Sequence, residues 1–290
     1  MGISTGIALA FVAMLCWGFG DFLIQKSARK VGDWETLFFI SVIGCIIVLP
    51  FFLQKDVIGI FSDWKNLAIM GAAGLIICVA ALLDFEALRR GKLSVVEPIW
   101  SLEVPVSTIL AFLVLDERIT GMQILLILSL IASMALVSFR DKSVSGRIFI
   151  EKGVFLAIIA ATTMGGAQFL IGWSARVVDP ISINFFIDLV MMIVTLAYLV
   201  RHGRLRGAFT RFKGSIGTML PMSISDKAAW LAYTISMTLV PIGVATALSE
   251  SYIIVAVILG LMVNKERLHV HQEIGLFGSI AAALILATTV

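Results

Sequence analysis

Charge is what this sequence is short of. Of its 290 residues 14% are charged, against about a quarter in an ordinary soluble domain. The deficit runs the whole length of the chain, which excludes a soluble protein carrying a single anchor. Cysteine is scarce as well. Cys16, Cys45 and Cys78 fall in three different apolar stretches, so they read as small core residues rather than a disulfide framework or a thiolate metal site. The three histidines, His202, His269 and His271, all sit in connections. No histidine pair has metal-binding helical spacing, no nucleophile is flanked by a base, and no Walker-type phosphate loop occurs. An intramembrane enzyme and an ATP-driven machine are set aside on those grounds, and no cofactor is expected. The net charge of +3 implies no nucleic-acid partner, because Lys and Arg gather at the ends of apolar stretches.

What is there is hydrophobic. Apolar residues make up 60% of the chain and the mean hydropathy is +1.04. Windows of about 20 apolar residues pick out ten candidate spans, near 5–27, 34–53, 66–88, 94–115, 121–139, 153–175, 181–200, 215–237, 242–263 and 273–290. Runs such as "GCIIVLPFFL" and "ILLILSLIASMALV" lack the two-residue alternation of barrel strands. The expected fold class is an all-α membrane protein with ten transmembrane helices. The longest connections, 139–152 and 201–214, are short and basic, which leaves no room for a folded soluble domain. The first span lacks a basic leader segment and carries Trp17 and Asp21, so it reads as structure rather than a secretory leader.

The chain is also written twice. "GFGDFLIQKSAR" (Gly18–Arg29) and "GGAQFLIGWSAR" (Gly165–Arg176) agree at seven of twelve positions at a shift of 147. "VLDERITGMQ" (Val114–Gln123) and "VNKERLHVHQ" (Val263–Gln272) match at a shift of 149. Two units of five spans follow, 1–145 and 146–290. An odd number of crossings makes the second unit enter from the opposite side, as in the inverted repeats of secondary transporters. Seventeen of the 22 Lys and Arg residues lie in the odd-numbered connections. The positive-inside rule then puts those connections in the cytoplasm and both termini outside a cell membrane.

The five-plus-five arrangement, Trp17-Gly18 in the first span, the join "ALRRGKLSVVEP", and the pairs Glu117-Arg118 and Glu266-Arg267 carry a resemblance. The chain resembles the drug/metabolite transporter superfamily, in particular its EamA-type members, over essentially its full length. The resemblance implies alternating access around a cavity lined mainly by spans 1, 3, 4, 6, 8 and 9. It also implies a small-molecule substrate, drawn from amino acids, sugars, nucleotide sugars, drugs or choline-like amines. Two features depart from the pattern. The usual Gly before Glu-Arg is Asp116 here and Lys265 in the second copy, and ten-helix members are usually drawn with cytoplasmic termini.

A charged residue near the bilayer centre costs about 2.5–3.5 kcal/mol on insertion scales, so deep charges call for a cavity or a partner. The deepest are Glu103, Asp188, Asp226, Lys227 and Glu250. Asp226, Trp230 and Tyr233 share one helical stripe, which reads either as a wall that holds a cation against aromatic faces or as ordinary packing. Lys227 reads either as a group lining the cavity or as one half of a structural ion pair. Trp17, Asp21 and Gln25 form a similar stripe whose second-copy counterparts are Met164, Gln168 and Gly172. Asp21 faces the site or pairs with Lys26 or Arg29. Pro98 and Pro105 kink the fourth span around Glu97, Trp100 and Glu103. Ala247 and Ile254 stand at their second-copy positions, so the ninth span is expected to be straighter. Glu103 and Glu250 are candidates for the translocation path. Asp188 is expected to pair structurally, Asp84 and Glu86 with Arg89 or Arg90, and the two Glu-Arg pairs read as helix-end fixtures. Gly18 and Gly165 suit a close helix crossing.

The expected function is secondary transport of a small polar metabolite, a cationic or zwitterionic amine or amino acid. The substrate-binding or coupling residues are Trp17, Asp21, Trp100, Glu103, Gln168, Asp226, Lys227, Trp230, Tyr233 and Glu250, with protons as the candidate coupling ion and the lipid bilayer as the surrounding partner. The alternative is a carboxylate-lined pathway for divalent cations, against which the aromatic stripes and the buried lysine argue. No metal site is expected, and monomer and homodimer are both open.

Overall fold

A computed structural model describes residues 2–90, 99–138, 154–252, 254–255, 258–259 and 269–289. Its helices are α1 (Ile3–Val31), α2 (Asp33–Phe52), the short α3 (Val57–Ser62), α4 (Trp64–Arg90), α5 (Glu103–Leu115), α6 (Gly121–Ser138), α7 (Val154–Val177), α8 (Pro180–Arg201), α9 (Leu205–Leu239), α10 (Ile242–Ser249) and α11 (Val270–Thr288). No strand occurs among the described residues. Stretches of α1, α2, α4, α7, α8 and α11 are long and apolar enough to cross a membrane, and α5 and α6 are shorter apolar helices. The polarity is that of a membrane protein. Phe155, Ile274 and Phe277 are exposed, whereas Glu103, Gln168, Asp188 and Lys227 are buried. A soluble fold places these residue types the other way round.

The main helix pairings join the first half of the chain to the second. α1 packs on α9 and α4 on α7, while α2 meets α8, α5 meets α10, and α6 meets α11. Exchanging the halves maps this set of pairings onto itself, so the core lies at a pseudo-symmetric interface. Serine hydroxyls fasten α1 across that interface. Ser225 donates to the Cys16 carbonyl at 2.7 Å and Ser236 to the Gly6 carbonyl at 2.7 Å. Such bonds hold apolar helices together where the hydrophobic effect between them is absent.

Two glycines set the closest crossings, and they are equivalent. A Cβ on Gly18 would stand 3.0 Å from the Tyr252 carbonyl oxygen and closer still to the Cβ of Val255. A Cβ on Gly165 would stand 2.7 Å from the Glu103 carbonyl oxygen and 2.7 Å from Val106. The shift of 149 carries Glu103 to Tyr252 and Val106 to Val255, so each half makes the same contact on the other. Because the obstacle at Gly165 includes backbone, Gly165→Ala is expected to cost about 1–3 kcal/mol, read as a lower unfolding midpoint in detergent. Gly166 has nothing within 4 Å of its would-be Cβ, and Gly166→Ala is expected to leave the midpoint unchanged or raise it.

The fourth and ninth spans are both interrupted, at equivalent places. Ile99 and Trp100 are helical, Ser101 and Leu102 form a turn, and α5 resumes at Glu103. α10 stops at Ser249, Glu250 and Ser251 form a turn, and helix resumes at Tyr252. The ninth span, expected to be the straighter one, is thus broken where the fourth is. Hydroxyls stand in for the missing prolines. Thr246 donates to the Ile242 carbonyl and Ser251 to the Ala247 carbonyl, both at 2.8 Å, a pattern that bends helices. The backbone meanwhile tightens to three-residue spacing, with the amides of Ser251 and Ile254 on the carbonyls of Leu248 and Ser251.

Asp116 ends α5 with φ 53°, the one left-handed non-glycine among the described residues. That conformation explains why the resembled pattern has glycine there, because a left-handed helix end carries no Cβ penalty in glycine. Asp116→Gly is expected to raise stability by up to about 1 kcal/mol, with a rise in unfolding midpoint as the readout.

Candidate functional site

The two helix breaks bring two carboxylates to one amide. Glu103 occupies the first turn of α5 and is buried, and Glu250 sits in the turn after α10. Gln168, from the middle of α7 and 2% exposed, reaches both. Its Nε2 donates to Glu103 Oε2 at 2.8 Å and to Glu250 Oε1 at 2.9 Å. One neutral donor thus holds two acids from opposite halves in contact range. The Oε1 of the same amide is buried without a hydrogen-bond partner, as is Oδ1 of Asp84, which lies within electrostatic reach of Glu103. Buried polar atoms left unpaired are uncommon and call for an explanation.

An aromatic wall runs beside this bridge. Trp17 of α1 sits edge-on to Trp230 at 5.2 Å, to Tyr233 at 5.3 Å and to Tyr252 at 6.4 Å between ring centroids. Tyr233 is fully buried, and its hydroxyl shares a 2.7 Å hydrogen bond with Thr246, one turn before Glu250. At the other end of the wall stands Asp226, half-buried, beside the indoles of Trp17 and Trp230. The stripe on α9 therefore leads from one acid past three rings toward the other two acids.

Lys227 turns away from that wall. Its ammonium lies 2.7 Å from Asp188 and 3.4 Å from Asn184, with 2% of the residue exposed. Asn184 is fixed in turn by Thr234 at 3.0 Å. Gly44 of α2 makes room for the pair, since a Cβ there would meet the Lys227 stem at 2.8 Å. A second ionic contact closes one end of the interface. Arg176 pairs with Glu117 and donates to the carbonyls of Met237 and Val240, while Glu117 also accepts from the Ile242 amide at 2.9 Å. The helix-end carboxylate of one half is thereby tied to three elements of the other.

A family model described as the EamA-like transporter family matches residues 4–139 and matches again at residues 151–288. The chain belongs to the EamA-like transporter family. Among its relatives is an uncharacterized protein of Methanocaldococcus jannaschii, 27% identical over 141 residues, which make up 48% of this chain and 100% of that protein. A chain of about one repeat thus exists on its own. A solved crystal structure with 15% sequence identity superposes with a TM-score of 0.77 over 99% of this chain and 98% of its own, which shows a shared fold.

Within this EamA fold, the sequence candidates Trp17, Glu103, Gln168, Asp226, Trp230, Tyr233 and Glu250 converge at the interface of the halves. Lys227 does not join them. Trp100 packs with Ile99 and Leu156 against Ala87 and Ala157, its indole N–H without a hydrogen-bond partner. Asp21 lies on α1, but its side chain is outside the described residues, as are Glu97, Glu266 and Arg267. Tyr252 and Thr246 escaped sequence reasoning. Tyr252 was findable as the counterpart of Glu103 at the shift of 149. Thr246 becomes visible only once Tyr233 is placed. Among the described residues no group of three or more His, Cys, Asp or Glu side chains is placed to hold a metal ion.

Proposed function

We propose that this member of the EamA-like transporter family carries a cationic or zwitterionic amine by alternating access, between two inverted five-helix halves, 1–145 and 146–290, that together make ten spans. The observation that carries this reading is the Glu103–Gln168–Glu250 bridge, in which acids at two equivalent helix breaks share one donor at the interface. Broken helices facing each other at the repeat interface are where secondary transporters bind substrate. The carboxylates supply attraction for an ammonium group, and the Trp17–Trp230–Tyr233 wall supplies π-faces to enclose it. Both termini then face the extracytoplasmic side of a cell membrane.

The test is a screen of purified protein against alkylamines, amino acids and sugars. Stabilisation by a ligand follows RT ln(1 + [L]/Kd), so even weak ligands raise the unfolding midpoint at high concentration. Amines or amino acids are expected to stabilise and neutral sugars are not. Stabilisation by sugars alone would contradict the reading. Coupling has its own test, because exchange of a proton for substrate needs an acid that changes charge during the cycle. Glu103→Gln or Glu250→Gln is expected to uncouple uptake from an imposed proton gradient in proteoliposomes. Unchanged coupling in both variants would remove protons from the mechanism.

A further inference from the structure

We infer that the basic end of α9 binds the headgroup of an anionic phospholipid. Charge is the first argument. Residues 201–213 hold five Lys and Arg residues and no Asp or Glu. Arg204 and Arg211 share one carboxylate, that of Glu35 at the start of α2, at 2.9 Å and 2.5 Å. The Glu35 side chain is fully buried, whereas those of Arg204 and Arg211 are 42% and 40% exposed. Two guanidinium groups on one carboxylate leave a positive charge over, and it lies at the surface.

Depth is the second argument. α9 runs for 35 residues, about 52 Å at the helical rise, and the hydrocarbon core of a bilayer is about 30 Å thick. One end of α9 must leave that core, and the bases mark which. Trp34, next to Glu35, stacks on Tyr198 at 3.7 Å, and such rings gather at the headgroup level. The third argument is the order of residues along one face. Arg206, Lys213 and Leu220 follow one another every seven residues, so they share a side of α9. All three are exposed, as is Ile216 beside them. From the open end inward that side offers charge and then hydrocarbon, which is the order of a phospholipid and not of a soluble phosphate. Arg211 flanks the same strip from the other side, its Nη1 lying 3.4 Å from where a Cβ on Gly207 would stand. The orientation proposed above turns this end toward the cytoplasmic leaflet, whose surface is negative.

The experiment measures lipid binding to the purified full chain in detergent by native mass spectrometry. Phosphatidylglycerol is compared with phosphatidylcholine of identical acyl chains and with free glycerol phosphate. A Lys or Arg near an anionic lipid surface is worth on the order of fivefold in affinity. Phosphatidylglycerol is expected to bind roughly twentyfold tighter than phosphatidylcholine, and Arg206→Gln with Lys213→Gln is expected to remove most of that preference. Arg206 and Lys213 are exposed and make no ion pair among the described residues, so the exchange leaves the fold in place, with the unfolding midpoint as its check. The control removes the same charge elsewhere. Lys65→Gln with Arg118→Gln, two exposed bases of even-numbered connections, is expected to leave the preference unchanged. Equal affinity for the two lipids would overturn the site, and equal losses in both pairs of variants would reduce it to net charge. Glycerol phosphate binding as tightly as the lipid would assign the bases to a soluble anion and overturn the lipid. No transport is measured, so the outcome is independent of the amine reading.

Discussion

Replacing Lys227 by methionine is expected to cost about 3–5 kcal/mol of stability, the loss found when one partner of a buried ion pair is removed. The residue is 2% exposed and its ammonium rests 2.7 Å from Asp188. Methionine keeps the length of the stem but leaves Asp188 uncompensated among α2, α8 and α9. Adding Asp188→Asn in the same chain removes the stranded charge, and the double variant is expected to recover most of the lost midpoint. Measured as a double-mutant cycle in detergent, the two changes should be strongly non-additive. Additive losses would mean that the pair is not the unit that stabilises the interface. Because Lys227 points away from Trp17 and Glu250, the folded double variant should still bind whatever amine the wild type binds.

Gln168→Leu is expected to cost about 3–6 kcal/mol of stability, from two hydrogen bonds to charged groups at about 1.5–3 kcal/mol each, and to weaken amine binding because Glu103 and Glu250 lose the donor that positions them. Leucine has a similar volume but no donor, so Glu103 and Glu250 then confront one another directly. Adding Glu103→Gln puts a donor back between the halves and relieves that repulsion. This double variant is expected to regain the wild-type unfolding midpoint without regaining binding. The split between stability and binding separates a site residue from a packing residue. Recovery of both together would reduce Gln168 to a structural strut.

Much of the architecture was legible before any coordinates. The matched segments around Gly18 and Gly165 announced a duplicated chain, and those glycines do make equivalent crossings on the broken spans of the opposite halves. That match was readable because close backbone approach leaves only one residue type at each position. The break at Glu250–Ser251 was not legible. Proline advertises a kink by itself, whereas Thr246 and Ser251 bend a helix only when their hydroxyls turn back on the chain. Helical spacing placed Asp226, Trp230 and Tyr233 on one stripe, and they do share it. Spacing alone did not say what that stripe meets, so Lys227 stayed open between a cavity and a partner until α8 was placed beside α9. Gln168 was singled out as the counterpart of Asp21, yet its role as a bridge depends on where two other helices break. Periodicity gives a side chain its face, and only packing between the halves gives it a neighbour.

The most direct measurement is uptake by proteoliposomes of a radiolabelled amine that stabilises the purified protein, compared across wild type, Glu103→Gln and Glu250→Gln. Saturable uptake above protein-free liposomes, reduced at least about tenfold in each variant while the folded fraction is unchanged, is the predicted result. Equal uptake in wild type and both variants would show that the substrate never meets the carboxylates at the helix breaks.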